Sequence, residues 1–204
     1  MELVSTLIDL CFPQLCLLCG ESVLLSRVTG PWAAIPLCRE CLDSLPEITG
    51  ERCRLCSLPL ISETETCMRC RERDFPFVSN CAAFEYRGAV QELISHYKFR
   101  NQRSLALLFS SRVAAIILDR FPRIPVVPVP SRPASIRKRG WDHVGEMARL
   151  LHRNHGIEIH PLLRRSNGVS QKSLDFAHRL TNLKGRIHWS PRCRTALPDR
   201  VVLF

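Results

Sequence analysis

The 204-residue chain has no apolar run that approaches the roughly 18 residues needed to span a bilayer. Its opening residues lack the basic segment and the cleavage site of an export signal, because Glu2 and Asp9 lie there instead. These absences argue against a membrane span and predict a cytoplasmic protein, in which a reducing environment disfavours disulfides. Aromatic residues are also scarce, at 7% of the chain, which leaves few rings for stacking on nucleic-acid bases.

Lysine is absent from residues 1–80, where acidic residues outnumber arginines by 11 to 7. Residues 81–204 reverse this balance, with 22 Lys and Arg against 8 Asp and Glu, and they hold all seven histidines. Nine of the eleven cysteines lie before residue 71. This abrupt change predicts two domains, over residues 1–75 and 80–204. The net charge of +10, concentrated in the second half, predicts an anionic partner.

Eight cysteines form four Cys-x-x-Cys pairs, a spacing that lets both sulfurs of a pair face one metal ion. Two such pairs complete a closed tetrahedral site, and four soft thiolates suit zinc. The first domain is too short to be held by a large apolar core, so two structural Zn²⁺ ions are expected to stabilise it. The eight predicted ligands are Cys16, Cys19, Cys38, Cys41, Cys53, Cys56, Cys67 and Cys70.

The spacing leaves the pairing of these four motifs open. We expect sequential sharing, in which the first two pairs hold one ion and the last two hold the other, but an interleaved cross-brace uses the same spacing. An iron–sulfur site, redox-active thiols or disulfides are further alternatives for the same residues. A short amphipathic helix is predicted just before the first pair and is broken at Pro13.

The second half alternates strand patterns with helical ones, which predicts an α/β fold with a mainly parallel sheet. Ligands of such sheets bind beyond the carboxyl ends of the strands. Helices are predicted over residues 89–97, 104–120, 141–154 and 173–183. Ser104 is the predicted N-cap of the second of these helices. Strands are predicted over residues 81–86, 124–129, 157–163 and 201–204.

A basic loop follows the strand that ends at Val129. Its cationic side chains, hydroxyl groups and glycine lead into the start of the next helix, a combination that suits phosphate or pyrophosphate. A second cluster lies on a predicted helix, where Arg179 and Asn182 are three residues apart on one face. A solvated basic surface is the alternative interpretation of both. The candidate anion-binding residues are Ser131, Arg132, Lys138, Arg139, Gly140, Gln171, Arg179 and Asn182.

Three segments of the second half carry a family resemblance together with the cysteine pairs. They are Phe84-x-Tyr86-x-Gly88 followed by Leu93-Ile94-x-x-x-Lys98-Phe99-Arg100, Val127-Pro-Val-Pro130 through Arg139-Gly-Trp-Asp-His143, and Gln171 through Arg179-x-x-Asn182. This arrangement resembles the ComF family, whose members join an N-terminal double zinc ribbon to a type I phosphoribosyltransferase-like domain. The resemblance implies that Ser131, Arg132 and Arg139 lie on the pyrophosphate side of a phosphoribosyl pyrophosphate site.

The sequence departs from the family pattern in two places. The family usually has Arg-Gly-Phe-Asn-Gln where this chain has Trp141, Asp142 and His143 after Arg139-Gly. The family motif Asp-Asp-x-x-Thr-Thr-Gly-Ala-Thr, which binds ribose and the 5′-phosphate, does not occur in these residues, although Val201-Val-Leu-Phe204 resembles the strand before it. We therefore expect an incomplete phosphoribosyltransferase-like domain that is inactive as given. Mg²⁺ and phosphoribosyl pyrophosphate are expected only for a full-length member.

The resemblance also implies a role in DNA uptake during natural competence or in nucleotide-related metabolism. The partners that it implies are single-stranded DNA and a protein of the competence machinery. A function of a different class fits the same composition, namely a non-catalytic zinc-ribbon module that binds nucleic acid or serves as a protein adaptor.

Overall fold

The computed structural model describes residues 13–23, 34–61, 65–167, 183–190 and 198–204. The chain divides into two compact units, the first comprising Met1–Val28 with Pro36–Ile94 and the second Thr29–Ile35 with Ser95–Phe204. The predicted domain limits at residues 75 and 80 remain predictions. Among the described residues, no helix combines the length and the apolar character required to cross a bilayer.

The first unit consists of very short elements joined by turns. Its strands β1 and β2 pair antiparallel, and a single antiparallel bridge joins Arg52 to Pro59 further along the chain. Elements of this length bury little apolar surface, and Cys53, Cys67 and Cys70 themselves form a core cluster. The elements are β1 (Gln14–Leu15), β2 (Ser22–Val23), α1 (Arg39–Asp43) and α2 (Met68–Arg71).

The strand predicted over residues 81–86 is reduced to one bridge between Phe84 and Glu47. The Glu85 N–H donates to the Pro46 carbonyl at 3.0 Å, and the Glu85 carboxylate pairs with Arg52 at 3.3 Å. The segment is therefore fixed by backbone and ionic contacts within the first unit.

Four helices follow, and they are α3 (Ala89–Phe99), α4 (Leu105–Arg120), α5 (Pro133–Arg139) and α6 (His143–His155). The helices predicted over residues 89–97, 104–120 and 141–154 are confirmed to within two residues at each end. Ser104 precedes α4 but makes no side-chain cap, because its own backbone is already helical. Helix α5 was not predicted, since its sequence was interpreted as a basic loop.

The core of the second unit lies between helices α4 and α6 and a small parallel sheet. Strand β3 (Val126–Val127) pairs in parallel with β6 (Val202–Leu203), and Val126 forms a further parallel bridge with Ile159. The predicted parallel sheet is therefore present, with β3 between its two neighbours. One cluster of this core consists of the buried residues Ala114, Ile117, Val126, Leu151 and Ile157.

A separate antiparallel hairpin stem is formed by β4 (Leu163–Arg165) and β5 (Ile187–Trp189). The strand predicted over residues 157–163 contributes only the bridge at Ile159, and the chain changes sheets before Leu163. The helix predicted over residues 173–183 and the one predicted before Pro13 lie outside the described residues, apart from Leu183.

Candidate functional site

The first cysteine knuckle is the turn between β1 and β2. The Cys16 carbonyl accepts a hydrogen bond from the Gly20 N–H at 3.0 Å, and the Cys16 N–H donates to the Glu21 carbonyl at 2.8 Å. Gly20 adopts φ of 78°, a conformation that L-residues with a Cβ rarely adopt. The turn thereby brings the sulfurs of Cys16 and Cys19 to the same side of the chain.

The second pair of this site lies at the start of a helix. Cys38 is the N-cap of α1, and its Sγ accepts a hydrogen bond from the Cys41 N–H at 3.4 Å. Because Cys41 lies in the first turn of α1, its sulfur returns toward that of Cys38. Helix α1 therefore acts as the second knuckle of the site.

The other four cysteines repeat this construction. The Cys53 N–H donates to Leu58 and the Cys53 carbonyl accepts from Ser57, both at 2.8 Å. Cys67 is the N-cap of α2, which contains Cys70. Ser57 occupies the place of Gly20 and has φ of 62°. The chain thus contains two ribbons of the same design, which differ at this backbone position.

The sulfur positions fit two four-cysteine metal sites. Within each set of four cysteines, the sulfurs all lie within 4.8 Å of one another. Cys19 and Cys38 have sulfurs 3.7 Å apart, as do Cys56 and Cys67. Sulfurs that each lie about 2.3 Å from one tetrahedral ion are separated by about 3.8 Å, whereas a disulfide requires about 2.05 Å. The two sets are consistent with two structural zinc ions.

This grouping also answers the question of pairing. Cys16, Cys19, Cys38 and Cys41 form one set, and Cys53, Cys56, Cys67 and Cys70 form the other. The expected sequential sharing is confirmed, and the interleaved alternative is not what the structure shows. All four ligand positions of each set are filled by protein sulfur, so a metal held there has no open position for substrate.

Backbone N–H groups support thiolate at one cysteine of each site. Burial raises the pKa of Cys16, but the N–H groups of Cys19, Cys38 and Leu18 outweigh it and bring the pKa to about 6. Zinc binding requires deprotonated thiols, so these N–H groups favour the state that binds metal.

Cys53 has the same balance in the second site. Burial raises its pKa, and the N–H groups of Cys67, Cys56 and Leu55 lower it to about 6. Burial and the neighbouring sulfurs raise the pKa of Cys41 and that of Cys70. Four thiols held this close cannot all lose their protons without a cation to compensate the charge.

The two sites differ in their surroundings. Cys19 is exposed to solvent, and of the four cysteines of the first site only Cys16 is buried. In the second site three of the four cysteines are buried, and Leu55, Leu60 and Phe75 pack against them. The second site is therefore better shielded from water and competing ligands.

The predicted basic loop is in fact helix α5 with its flanking residues. Pro133 starts the helix and Gly140, at φ of 81°, ends it, while Lys138 is exposed on its last turn. Arg132 precedes the helix and its Nε donates to Ser135 Oγ at 3.1 Å. The cationic residues of the segment therefore lie on a short helix rather than on a loop that encircles a ligand.

Ser131 and Arg139, both expected on the pyrophosphate side of the anion site, converge on the start of α6. Ser131 donates to Asp142 Oδ1 at 2.6 Å, and the same oxygen accepts the Val144 N–H at 3.1 Å. Asp142 is thus the N-cap of α6. A Cβ at residue 145 would lie 3.1 Å from Asp142 Oδ2, which explains why Gly145 follows.

His143 completes this group. Arg139 Nη1 lies 2.6 Å from its Nδ1, and because a guanidinium only donates, Nδ1 must be the acceptor. Burial, with the charges of Arg139 and Lys98, lowers the pKa of His143 to about 4. The imidazole is therefore neutral at physiological pH. The Tyr97 hydroxyl donates to the His143 carbonyl at 2.6 Å and helps to hold the residue.

Three other candidate residues, Gln171, Arg179 and Asn182, lie outside the described residues. One group that the sequence did not reveal is a cluster of arginines formed by Arg132, Arg165 and Arg186. Burial and then the charges of Arg132 and Arg186 lower the pKa of Arg165. The consecutive arginines at 164 and 165, at the end of an apolar run, were the available signal, but their neighbours come from distant segments.

Comparison with known proteins gives two matches. Residues 7–71 match the family model described as a double zinc ribbon domain. The chain is 29% identical over 173 residues to "Competence protein ComFC" of Bacillus subtilis (strain 168), an alignment that covers 78% of this chain and 69% of that protein. No solved structure gives a significant match.

Proposed function

The double zinc ribbon and the similarity to ComFC over most of the chain support its assignment to the ComF family, and from this premise we propose that it acts on DNA during natural competence. The observation that carries the proposal is the pair of four-cysteine clusters, which lie within the segment matched by the double zinc ribbon model. The basic second half supplies the charge that a nucleic-acid partner requires. We place this activity in the cytoplasm, where zinc-binding thiols remain reduced.

A loss-of-function strain tests this role. Deletion of the gene from its own host should lower the frequency of transformation by added DNA, and growth on rich medium should remain normal. A Cys53→Ser variant should behave like the deletion, because it removes a buried ligand of the second site. Normal transformation in the deletion strain would contradict the proposal.

The zinc ions are proposed to be structural. Closed sites of four thiolates offer no position for water or substrate, so the chemistry that they supply is the folding of the first unit. A protein of the competence machinery is a second proposed partner, and we propose that the two ribbons bind it.

The second half is proposed to be phosphoribosyltransferase-like but not catalytic in this chain. The proposal keeps Ser131, Arg132, Lys138, Arg139 and Gly140, with residues 171, 179 and 182, as the anion side of the domain. Two observations support the lack of activity. Asp142 places a carboxylate at the start of α6 and engages Ser131, and Arg139 is engaged by His143. A phosphate approaching this position would meet a like charge.

Ligand binding tests this part directly. Phosphoribosyl pyrophosphate with Mg²⁺ should show no saturable binding to the purified chain in calorimetry. The Asp142→Asn variant, which restores the amide usual in the family, should bind more tightly than the unaltered chain, and Asp119→Asn, which removes the same charge from an exposed position on α4, should not. Saturable binding by the unaltered chain would contradict the proposal.

A further inference from the structure

The β4–β5 hairpin stem exposes an aromatic ring in a chain that has few of them. Trp189 lies in β5 and is 58% exposed, whereas Trp141 in the same unit is 7% exposed. Within the part of the chain that the structure describes, ring contacts are made by Trp141 and Tyr97 but not by Trp189. An exposed indole has a face available for stacking on a base.

The hairpin that carries this ring is positively charged. The described residues of the hairpin, 161–167 and 183–190, include four Lys or Arg residues, one histidine (His188) and no Asp or Glu. Opposite residues in an antiparallel pair share a face, and Trp189 is opposite Leu163 while Arg165 is opposite Ile187. Trp189 and Arg165 are therefore diagonal neighbours on one face, about 7–8 Å apart at the backbone. The four Lys or Arg residues are Arg164, Arg165, Lys184 and Arg186.

The arginines are brought together by Asn167. Its side-chain oxygen accepts the Ala134 N–H at 2.9 Å, and its backbone carbonyl accepts a hydrogen bond from Arg186. These bonds place the start of α5, and with it Arg132, beside the end of the hairpin. The Nε of Arg165 is buried and has no hydrogen-bond partner among the described residues. The charges of Arg132 and Arg186 disfavour the charged form of Arg165, and an anion bound beside it would offset that repulsion.

We propose that the β4–β5 hairpin binds single-stranded nucleic acid, with a base stacked on Trp189 and the adjacent phosphates held by Arg165 and Arg186. This inference rests on the proposed role in DNA handling and names the surface that performs it. One face of the hairpin stem presents both a ring and a guanidinium, which is the combination that a flexible single strand requires. The residues that meet at the start of α6, namely Ser131, Arg139, Asp142 and His143, form a different group and take no part in this nucleic-acid site.

Oligonucleotide binding by the full zinc-loaded chain tests the proposal. The probe is a labelled oligothymidylate of about 15 nucleotides, long enough for one such surface. Trp189→Ala should weaken binding about tenfold, and Trp189→Phe, which keeps a stacking ring, should restore most of it. Phe99→Ala is the matched control, because it removes another exposed ring from the second unit.

The charge contribution is measured separately. Arg165→Gln should weaken binding and reduce the slope of log affinity against log salt by about one, since one phosphate contact is lost. Arg153→Gln removes the same charge from an exposed position on α6 and should leave the slope nearly unchanged. A slope reduced equally by both variants would overturn the proposal.

Two further outcomes separate the inference from the function that it rests on. If the unaltered chain binds the oligonucleotide and Trp189→Ala binds equally well, the hairpin assignment is wrong and the role in DNA handling survives. If the unaltered chain does not bind at all, both fail. Inorganic pyrophosphate is also added as a competitor. If it displaces the oligonucleotide equally from the unaltered chain and from Trp189→Ala, the site binds free phosphate rather than a stacked strand, and the proposal is overturned.

Discussion

The two units of this chain are stabilised in different ways. A core cluster of the first unit includes three cysteines of a metal site, and the two helices that lie wholly within its described residues, α1 and α2, have five and four residues. The second unit has a core of aliphatic side chains between α4, α6 and a parallel sheet. A chain can therefore combine a segment that is too small to fold by burial with one that has an aliphatic core.

Removal of zinc should produce the largest difference between the units. A structural zinc contributes roughly 10–16 kcal/mol to the folding of a small domain, so a strong chelator should unfold the first unit. The chain has three tryptophans, and a Trp32→Phe background leaves only Trp141 and Trp189, which both lie in the second unit, so the fluorescence of that variant reports on the second unit alone. We expect unchanged fluorescence while amide exchange in the first unit rises to the rate of unfolded chain.

A core substitution should have the opposite effect. Leu151 is fully buried in the second unit, and Leu151→Ala should cost about 2–5 kcal/mol of unfolding free energy there. Zinc content should stay at the level of the unaltered chain, as measured by elemental analysis. Leu118→Ala on the exposed side of α4 is the control and should cost little. Loss of zinc from Leu151→Ala would show that the two units do not fold separately.

Acid should destabilise the second unit through His143. Its pKa in the folded chain is about 4, below the ordinary value of 6.5, so the unfolded chain binds a proton that the folded chain does not. Unfolding free energy should therefore fall as the pH decreases from about 6.5 to about 4, by at most about 3 kcal/mol. His143→Gln keeps an acceptor for Arg139 and should remove this slope, which denaturant titrations at several pH values would measure.

The smallest expected effects compare the two knuckles. Gly20→Ala meets no neighbouring atom but forces a Cβ into a left-handed conformation, at a cost of about 1–2 kcal/mol. Ser57→Gly relieves that strain in the second knuckle but loses the hydrogen bond from Ser57 Oγ to the Asn80 carbonyl at 2.9 Å, worth about 1 kcal/mol. The second change should be close to neutral in thermal unfolding. If the two variants lowered the melting temperature equally, the strain at Ser57 would not offset its hydrogen bond, and the expected difference between the knuckles would be wrong.

The sequence predicted the features that depend on local spacing. The eight candidate ligands were predictable, because two residues between cysteines suffice to define a knuckle, whereas the spacing left their grouping open and the structure supplies it. Helices α3, α4 and α6 were also found from their apolar periodicity. Helix α5 was missed although Pro133 at its first position and Gly140 after its end are ordinary boundary signals, because its many charges were interpreted as a loop.

Features that join distant segments were not predictable. The pairing of Leu163–Arg165 with Ile187–Trp189 spans a long connection, and no local pattern specifies it. The same holds for Asn167, which connects α5 to Arg186 through two hydrogen bonds. Asp142 was noted as a departure from the family pattern, but its contact with Ser131 required the structure.

X-ray absorption at the zinc edge, combined with zinc quantification on the purified chain, tests the central claim most directly. Two closed sites of four cysteines predict two zinc ions per chain, each surrounded by four sulfur atoms at about 2.3 Å. Less than one zinc per chain, or a coordination shell that contains nitrogen or oxygen, would contradict the account.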